Sequence, residues 1–425
     1  MEPHRTDEDV SVRSEASRPG RGRAGGPARH DLLFPDEGAV RGPAHAPSPQ
    51  DPDVVALAQD VGAAMRAVEE VLRDVTHRRT TEAAGTAAEY TALWQDLSRQ
   101  VGGKMLRPHL TVAAYLGLGG TDVAAVAHVA AAQEVLHTAM LVHDDLLDHD
   151  EVRRGVPNVA GSARARLVAD GAAGRRLEDQ VVASGLLGGD LAIAQAFALV
   201  AAAPVDPAVR LVLVQQLADG IATTVAGELL DVRSALHAPA DVDTLAVAHL
   251  KTAVYTFGVP LGAGAVLAGA DDATVASLRQ VGEALGVAFQ LVDDDLGVFG
   301  DPATTGKSVL SDLREGKRTQ LLRAAYAAAS PQQRDVLDAL VGHADLDESG
   351  AAAVRAVLEQ TGARAATLDL ARTLATRAHD LAVTTVPPPL AGYLGGLVED
   401  LVGRGAETDG RSVPGRAAEG RGAGA

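Results

Sequence analysis

Between about residue 51 and residue 402, the chain consists of long segments whose apolar residues recur at helical spacing. One of them, "DVVALAQDVGAAMRAVEEVLRDV" (53–75), is amphipathic throughout. No segment of useful length alternates apolar and polar residues as a half-buried strand does. Aromatic residues supply only 3% of the chain, so a core must be built from Ala, Val and Leu. Because Ala and Leu are strong helix formers, the pattern predicts a single all-α domain, a large helical bundle.

The same spacing predicts where the helices and the ends of the domain lie. Residues 1–50 and 403–425 are rich in Gly, Arg and other polar or small residues without an apolar period, so both are predicted to be disordered tails. A helix is expected to start near Thr121 and to run to Asp148, and residues 166–180 are predicted to form a loop. The other predicted helices cover residues 181–202, 207–236, 241–257, 272–299, 308–329 and 365–385.

Composition excludes several classes of protein. A net charge of −18 argues against a general nucleic-acid binder. The absence of Cys excludes disulfides, thiolate zinc sites and cysteine nucleophiles, and it is compatible with a reducing cytoplasm. No run approaches 18 uninterrupted apolar residues, so no membrane span is predicted. The N-terminal region has arginines but no apolar segment, which predicts no targeting signal.

The balance of basic residues singles out the lysines. The chain has 34 Arg but four Lys, at positions 104, 251, 307 and 317. A GC-rich coding bias replaces Lys with Arg wherever charge alone matters. The lysines that remain are therefore candidates for positions where a compact ammonium does what a planar guanidinium cannot. Chance survival of four lysines is the alternative at this point.

The stretch "LHTAMLVHDDLLDHDEVRRG" (136–155) gathers carboxylates at the end of a predicted helix. Helical spacing places His137, Asp144 and Asp148 on one face, with Asp145 beside them. Mutual repulsion and the negative end of the helix dipole both disfavour these charges. A divalent cation would relieve both, and carboxylates without Cys ligands suit Mg²⁺. A solvated acidic helix end is the alternative interpretation.

A second stretch, "FQLVDDDLGVFGDPATTGKSVLSDLREGKRTQ" (289–320), repeats this arrangement. Its predicted helix ends in three consecutive aspartates, with a fourth and two lysines further on: Asp293, Asp294, Asp295, Asp301, Lys307 and Lys317. A third lysine lies in "VGGKMLRPHL", where Lys104 is expected to share a helical face with Arg107. Two carboxylate groups facing a cavity rimmed by Lys and Arg suit a diphosphate held through Mg²⁺.

Taken in order, these motifs resemble those of the trans-prenyl diphosphate synthases, the polyprenyl synthetase family, across roughly residues 60 to 400. The matching segments are "GGKMLRP", "DDLLD", "RRG", "GGDLA", the pair Lys251-Thr252 and "FQLVDD". The resemblance implies the isoprenoid synthase fold, in which helices surround a central cavity. It also implies a Mg²⁺-dependent trans-prenyltransferase that joins isopentenyl diphosphate to an allylic diphosphate.

The resemblance divides the candidate residues into three groups. Asp144, Asp148 and Asp293 are implied to bind the metal, with Asp145 and Asp294 in support. The residues implied to bind the diphosphate of isopentenyl diphosphate are Lys104, Arg107, His137 and Arg154. Those implied to bind the allylic diphosphate are Arg153, Lys251 and Thr252. The remaining implied substrate ligands are Gln290, Lys307 and Lys317. The aspartates of both clusters, Arg153 and Lys251 form the implied catalytic set.

Three positions depart from the family pattern. The third Asp of the second motif is replaced by Gly297, which leaves Asp295 and Asp301 as alternative substitutes. Glu228 stands where the family usually has Gln, and Asn158 replaces the usual Thr after the "RRG" segment. None of these changes removes the first two carboxylates of either cluster, so activity is expected to survive.

The product length is predicted from the helix that carries Asp144. A prenyl tail anchored at its end would run down the helix, and each turn covers about 5.4 Å, close to one isoprene unit. The first level holds Ala139, which is small, and Met140, which is flexible. The next level, Val135 and Leu136, is bulkier. A product beyond fifteen carbons, geranylgeranyl diphosphate, is therefore expected.

Other functions compatible with the sequence are a farnesyl or longer polyprenyl diphosphate synthase, a terpene cyclase, and a silent partner subunit of a heteromeric synthase. A cyclase generally needs an Asn-Asp type second motif, and the only Asn of this chain is Asn158. A silent subunit should have lost one acidic cluster. The resemblance further implies a cytoplasmic homodimer whose product can pass to a membrane.

Overall fold

The computed structural model describes residues 48–301 and 309–408 of the chain. Lys307 and most of the two predicted tails lie outside these residues. The last described helix continues to Thr408, a few residues beyond the predicted end of the domain.

Long helices make up almost all of the described chain, which confirms the predicted all-α class. In chain order they are α1 (Pro52–Ala84), α2 (Ala88–Gln100), α3 (Leu106–Gly117), α4 (Val123–Leu147), α5 (Val159–Ala169), α6 (Gly174–Ala202), α7 (Pro207–Ser234), α8 (Thr244–Leu267), α9 (Asp272–Phe299), α10 (Ser311–Glu315), α11 (Gln320–Ala328), α12 (Pro331–Leu340), α13 (Glu348–Gln360), α14 (Ala363–Thr385) and α15 (Pro388–Thr408). The strands of the described part, β1 (Val152–Arg153) and β2 (Val156–Pro157), form a short antiparallel hairpin between α4 and α5.

Side-chain caps explain several helix boundaries that the apolar period alone misplaced. α4 begins at Val123 because the carboxylate of Asp122, not Thr121, accepts the backbone N–H of Ala125 at 3.0 Å. The predicted loop at 166–180 is confirmed only over residues 170–173, because α5 ends at Ala169 and α6 begins at Gly174. Asn158 caps the start of α5, accepting the N–H of Gly161 at 2.8 Å.

The predicted helix over 308–329 is also wrong in its described part. It is divided into α10 and α11, because Gly316 takes a left-handed conformation (φ 65°) that ends α10. The prediction for 272–299 matches α9 at both ends. The short helices α2, α3, α12 and α13 were missed, because each is only a few turns long and its apolar period covers few repeats.

The centre of the bundle is α4, which packs against α3, α6 and α8. α9 in turn packs against α8 and α14. Small residues allow the helix backbones to approach closely: a Cβ at Gly286 of α9 would lie 2.4 Å from the Cα of Ala253 in α8. The Ala-rich composition thus forms the core, and the close packing brings the ends of α4, α7, α8 and α9 together on one side.

Helix α8 changes its winding in the middle. It is α-helical over Thr244–Val247, π-helical over Ala248–Gly258 and α-helical again over Val259–Leu267. A π-helix has wider turns than an α-helix and occurs often at functional sites. Lys251, Thr252, Tyr255 and Thr256 all lie in the π-helical part, and each contacts a charged or polar side chain of the site described below.

By length and composition, α4, α6 and α8 are apolar enough to cross a membrane, although polar or charged residues interrupt the apolar sequence of each. The most apolar windows of α4 and α8 are 78% and 72% buried inside the protein. The apolar side chains of these two helices therefore belong mostly to the protein core. The corresponding window of α6 is only 44% buried, so this helix presents an apolar face to the outside.

Candidate active site

Lys251, on α8, contacts carboxylates at the ends of two other helices, α4 and α7. Its Nζ lies 3.3 Å from Asp144 Oδ1 on α4, 3.0 Å from Glu228 Oε2 and 2.7 Å from Asp231 Oδ2, both on α7. Burial alone would lower the pKa of Lys251, but Asp231, Asp144 and Glu228 raise it above its ordinary value. The side chain is therefore a fixed ammonium among carboxylates. Sequence reasoning found Lys251 and Asp144 but gave no role to Asp231.

Asp145 turns away from Lys251 and fixes an arginine instead. It is buried, and its Oδ1 accepts a hydrogen bond from Arg153 Nε at 2.7 Å. The same guanidinium lies 3.6 Å from Asp144 Oδ2. Burial raises the pKa of Asp145, while the hydrogen bond from Arg153 opposes that rise. Asp145 thus holds Arg153 beside Asp144.

Asp148 caps the end of α4 and faces the segment after α9. Its Oδ2 lies 3.9 Å from Lys317 Nζ, which is also 3.4 Å from Asp312 and 3.2 Å from Glu315. Burial and then the charge of Asp144 raise the pKa of Asp148 to about 6. Lys317 therefore connects the first acidic cluster to α10.

The second cluster lies at the end of α9, where Asp293 is exposed and Asp294 is half-buried. A chain of hydrogen bonds runs from Thr252 Oγ1 to Gln290 Oε1 and from Gln290 Nε2 to Asp294 Oδ1, each at 2.8 Å. Burial raises the pKa of Asp294 to about 8, and the charges of Asp312 and Asp293 act in the same direction. The two predicted clusters thus meet around Lys251 and Lys317.

The donor set fits a hard divalent cation. Within residues 48–301 and 309–408, no three His, Asp or Glu side chains are close enough to enclose a metal. Mg²⁺ usually keeps several waters and takes further ligands from substrate phosphates, so separated carboxylates suit it. Burial raises the pKa values of Asp148 and Asp294 most, and neighbouring carboxylates raise them further; a cation would relieve this repulsion between carboxylates.

The structure decides against Asp295 as the substitute for the missing third aspartate. Asp295 is fully buried on the other side of α9, where Arg364 donates to it through Nε at 2.8 Å and through a terminal nitrogen at 3.3 Å. The guanidinium of Arg364 also lies over the ring of Phe299. This carboxylate serves the packing of α9 on α14, so the prediction for Asp295 is wrong.

Another carboxylate stands in front of Gly297. A Cβ at Gly297 would lie 2.2 Å from Oδ2 of Asp312, which reaches over from α10. Asp312 was missed by sequence reasoning, although it lies five residues before Lys317. Asp301 is exposed at the edge of the described residues. The space that a third motif aspartate would occupy therefore belongs to Asp312.

Restoring the family residue at this position is expected to harm the enzyme. Gly297→Asp should lower kcat/KM about tenfold or more, because the new side chain displaces the carboxylate of Asp312 and adds a like charge beside it. Steady-state kinetics and the melting temperature of each variant provide the measurement. The double variant Gly297→Asp with Asp312→Gly moves the carboxylate back to α9 and should recover part of the activity. A single variant as active as the wild type would contradict this account.

The "GGKM" segment is a turn, not the start of a helix. Gly102 and Gly103 have φ values of 105° and 115°, Met105 is left-handed, and α3 begins only at Leu106. The expectation that Lys104 and Arg107 share a helical face is therefore wrong. A Cβ at Gly103 would lie 2.8 Å from the guanidinium of Arg154, which also donates to the carbonyl of Gly102. The turn needs glycine to let Arg154 approach.

Arg107 and His137 lie behind this turn. Arg107 is buried, donates to Thr256 Oγ1 at 2.6 Å and lies 4.5 Å above the ring of Tyr255. Burial, followed by the charges of Arg107, Arg154 and Arg153, holds the pKa of His137 well below its ordinary value, so its imidazole is neutral at pH 7. The structure thus brings Arg107, His137 and Arg154 together, while Lys104 is exposed on the turn.

The predicted chain-length residues lie in the buried part of α4. Ala139, Leu136 and Val135 are almost fully buried, and Met140 is half-buried. Phe257 of α8 and Phe289 of α9 pack against each other with ring centroids 5.5 Å apart. Phe289 precedes Asp293 by one helical turn. The two phenylalanine rings are therefore a second candidate for the wall that limits the length of the prenyl chain, and sequence reasoning did not use them.

Comparisons with known proteins agree with this geometry. A family model described as polyprenyl synthetase matches residues 90–359. The geranylfarnesyl diphosphate synthase of Aeropyrum pernix is 34% identical over 66% of this chain and 83% of its own length. The geranylgeranyl diphosphate synthase of Mycobacterium tuberculosis is 34% identical over 59% of this chain and 67% of its own.

A solved structure gives the same result for the fold. It is the geranylgeranyl pyrophosphate synthase of Corynebacterium glutamicum, complexed with isoprenyl diphosphate and magnesium. The two structures agree with a TM-score of 0.75 at 30% sequence identity, over 80% of this chain and 98% of the other. The all-α bundle is therefore shared with a geranylgeranyl pyrophosphate synthase.

Proposed function

The chain belongs to the polyprenyl synthetase family and is a trans-prenyltransferase, and we propose that it condenses isopentenyl diphosphate with an allylic diphosphate to give geranylgeranyl diphosphate. The observation that carries this proposal is the meeting of two acidic helix ends around Lys251 and Lys317. Carboxylates and fixed ammonium groups in one place suit a diphosphate bound with Mg²⁺. Asp144, Asp148 and Asp293 are the residues proposed to hold the metal.

The residues of the chain support a reaction in which the allylic C–O bond breaks first. When bound, Mg²⁺ supplies positive charge to the departing diphosphate. Arg153, held by Asp145, and Lys251 are the residues proposed to stabilise the charge that develops on that group, since preorganised groups act mainly in the transition state. The double bond of isopentenyl diphosphate then attacks the allylic carbon, and the released diphosphate takes the proton lost from the new prenyl chain. Buried apolar side chains below the site exclude water from the cation.

The direct test incubates the purified protein with isopentenyl diphosphate, Mg²⁺ and each allylic diphosphate of five, ten or fifteen carbons. The dephosphorylated products are then sized. A twenty-carbon main product is the expected result, and its absence with every starter would reject the proposal. A cyclic hydrocarbon would indicate a terpene cyclase, and a protein active only with a second subunit would indicate a heteromeric synthase.

Product length is expected to respond to Ala139. This residue lies on α4 just over one turn before Asp144 and is fully buried. An aromatic ring in place of its methyl group would take the space of an extending prenyl tail. Ala139→Phe should shorten the main product by at least one isoprene unit, as measured by chromatography of the dephosphorylated products. Ala132→Phe, about two turns deeper, should shorten it less. An unchanged distribution in the Ala139 variant would place the floor elsewhere, with Phe257 and Phe289 as the next candidates.

We also propose that the protein is a cytoplasmic homodimer that binds no nucleic acid. Helices α6 and α7 carry an exposed apolar face that a second copy would cover. Its members are Val182, Leu186, Leu187, Leu211, Val212, Val225, Leu229, Leu230 and Val232. A protein that sediments as a monomer at micromolar concentration would contradict the dimer. In that case Leu229→Asp should leave the sedimentation unchanged. The net charge of −18 supports the absence of nucleic-acid binding.

A further inference from the structure

The hairpin of β1 and β2 presents both arginines of the "RRG" segment, and its turn is strained. Arg154 and Gly155 are the two turn residues between the strands, and their φ values are 53° and 77°. Hairpin turns of this kind favour Asn, Asp or Gly at the first of these positions, whereas the left-handed region is unfavourable for a residue such as arginine. Such strain persists only where surrounding contacts fix the backbone. The contacts that hold the hairpin therefore decide where its arginines stand.

Asn158 directly follows β2 and makes three hydrogen bonds at the base of the hairpin. Its backbone N–H donates to the carbonyl of Glu151 at 3.0 Å. Its side-chain Nδ2 donates to the carbonyl of Asp150 at 2.7 Å, and its Oδ1 accepts the N–H of Gly161 at 2.8 Å. Only 1% of the residue is exposed. Water therefore does not compete for these bonds, and both ends of the amide are used.

The bonds of Asn158 connect the hairpin to a helix on each side. On one side, the N–H of Asp150 donates to the carbonyl of Asp145 at 2.8 Å, so the amide is linked to the end of α4 through a single residue. On the other side, Asn158 caps the start of α5. This first turn of α5 lies close against the hairpin, because a Cβ at Gly161 would collide with the carbonyl oxygen of Glu151. The base of the hairpin is thus fixed between α4 and α5.

The arginines extend from this fixed base to the site. Arg153 donates through Nε to Asp145 at 2.7 Å, and Arg154 donates to the carbonyl of Gly102 in the glycine turn. Both guanidinium groups lie within six residues of Asn158 in the chain. A shift of the hairpin backbone at its base would therefore move both of them.

We propose that Asn158 is a positioning residue, which fixes the hairpin so that Arg154 stands ready for the diphosphate of isopentenyl diphosphate. This inference rests on the proposed function of the site. The role is indirect: the amide holds the base of the hairpin, and the strained turn passes the orientation on to the guanidinium. An arginine that is ordered before binding lowers the entropic cost of binding. Threonine, the usual family residue, has one hydroxyl oxygen where Asn158 has separate donor and acceptor atoms.

The experiment measures binding of isopentenyl diphosphate to the full-length wild type and to Asn158→Thr, by calorimetry. The hydroxyl can still cap α5, but the separate donor to Asp150 is lost. We expect the dissociation constant to rise about fivefold, in line with the loss of one neutral hydrogen bond. A protein that was merely less stable would show fewer active sites in the titration at an unchanged dissociation constant.

The same substitution in an Arg154→Ala background tests whether Asn158 acts through this arginine. Arg154→Ala alone should weaken binding of isopentenyl diphosphate. Adding Asn158→Thr should then change the dissociation constant by less than twofold, because the group that Asn158 positions is gone. A full fivefold effect in this background, or an unchanged dissociation constant for Asn158→Thr alone, would overturn the inference.

Asp347→Ala is the matched control. Asp347 caps α13 in the same way, accepting the N–H of Gly350 at 2.8 Å, and α13 packs on α12 and α14. This variant should lose stability but bind isopentenyl diphosphate like the wild type. Weakening equal to that of Asn158→Thr would show that any lost cap has this effect, and it would also overturn the inference.

A second variant covers the case in which Asn158→Thr does not fold. Gly161→Ala pushes the carbonyl of Glu151 away from α5 and should weaken binding at least threefold, so binding like that of the wild type would count against the inference. A wild-type protein that condenses no substrate would instead reject the proposed function.

Discussion

Asp144→Ala and Asp293→Ala are each expected to lower kcat by about a thousandfold while the fold persists. Asp144 stands at the end of α4 within 3.3 Å of Lys251, and Asp293 is exposed at the end of α9. Neither side chain belongs to the hydrophobic core. Asp144 also pairs with Lys251 and Arg153, so a loss of activity at an unchanged melting temperature is what would point to metal and diphosphate binding and not to unfolding.

Stability measurements separate these two causes. Mg²⁺ with inorganic diphosphate should raise the melting temperature of the wild type, because a ligand that binds only the native state stabilises it. The same addition should have little effect on Asp144→Ala or Asp293→Ala. Asp179→Ala, which removes an exposed carboxylate of α6, is the control and should behave like the wild type. Undiminished turnover of the wild type in excess chelator would be incompatible with the metal assignment.

The sequence was sufficient for the fold class because the physical signal was repeated over hundreds of residues. Apolar residues at helical spacing and a core of Ala, Val and Leu leave little alternative to packed helices. The boundaries were less accurate, since they depend on single side chains such as Asp122 and Asn158 that cap a helix. The π-helical stretch of α8 has no signature in the apolar period.

The candidate site was predictable where its residues stand close together in the chain. Both acidic clusters are local, and the scarcity of lysine marked Lys251 and Lys317 independently of any motif. Asp231 and Asp312 were missed, because their proximity to the clusters is created by the crossing of α7 and by α10 and leaves no local pattern.

The error at Asp295 has the same origin. Three consecutive aspartates look equivalent in the sequence, yet successive residues of a helix point about 100° apart. Asp293 faces solvent, Asp294 faces Gln290, and Asp295 enters the core, where Arg364 neutralises it. An adjacent position in sequence therefore could not replace Gly297, whereas a residue from another helix lies in front of it.

Lys251→Met is expected to lower kcat by about a thousandfold and also to lower the melting temperature. Three carboxylates lie within 3.3 Å of its ammonium, so removing the cation leaves Asp144, Glu228 and Asp231 facing one another in a partly buried place. Burial raises the pKa of Glu228 although Lys251 opposes that rise, and without the lysine the pKa of this carboxylate should rise further.

Lys251→Arg distinguishes charge from geometry at the same position. A planar guanidinium cannot point its charge at three carboxylates from one compact centre, so this variant should keep most of the stability but lose about a hundredfold in kcat. Asp231→Asn added to Lys251→Met should restore part of the melting temperature, since one repelling charge is removed, but none of the activity. Melting curves and single-turnover rates of the three variants provide the measurement. If Lys251→Arg matched the wild type, charge alone would suffice at this position, and the assignment of Lys251 as a fixed ammonium for the departing diphosphate would be wrong.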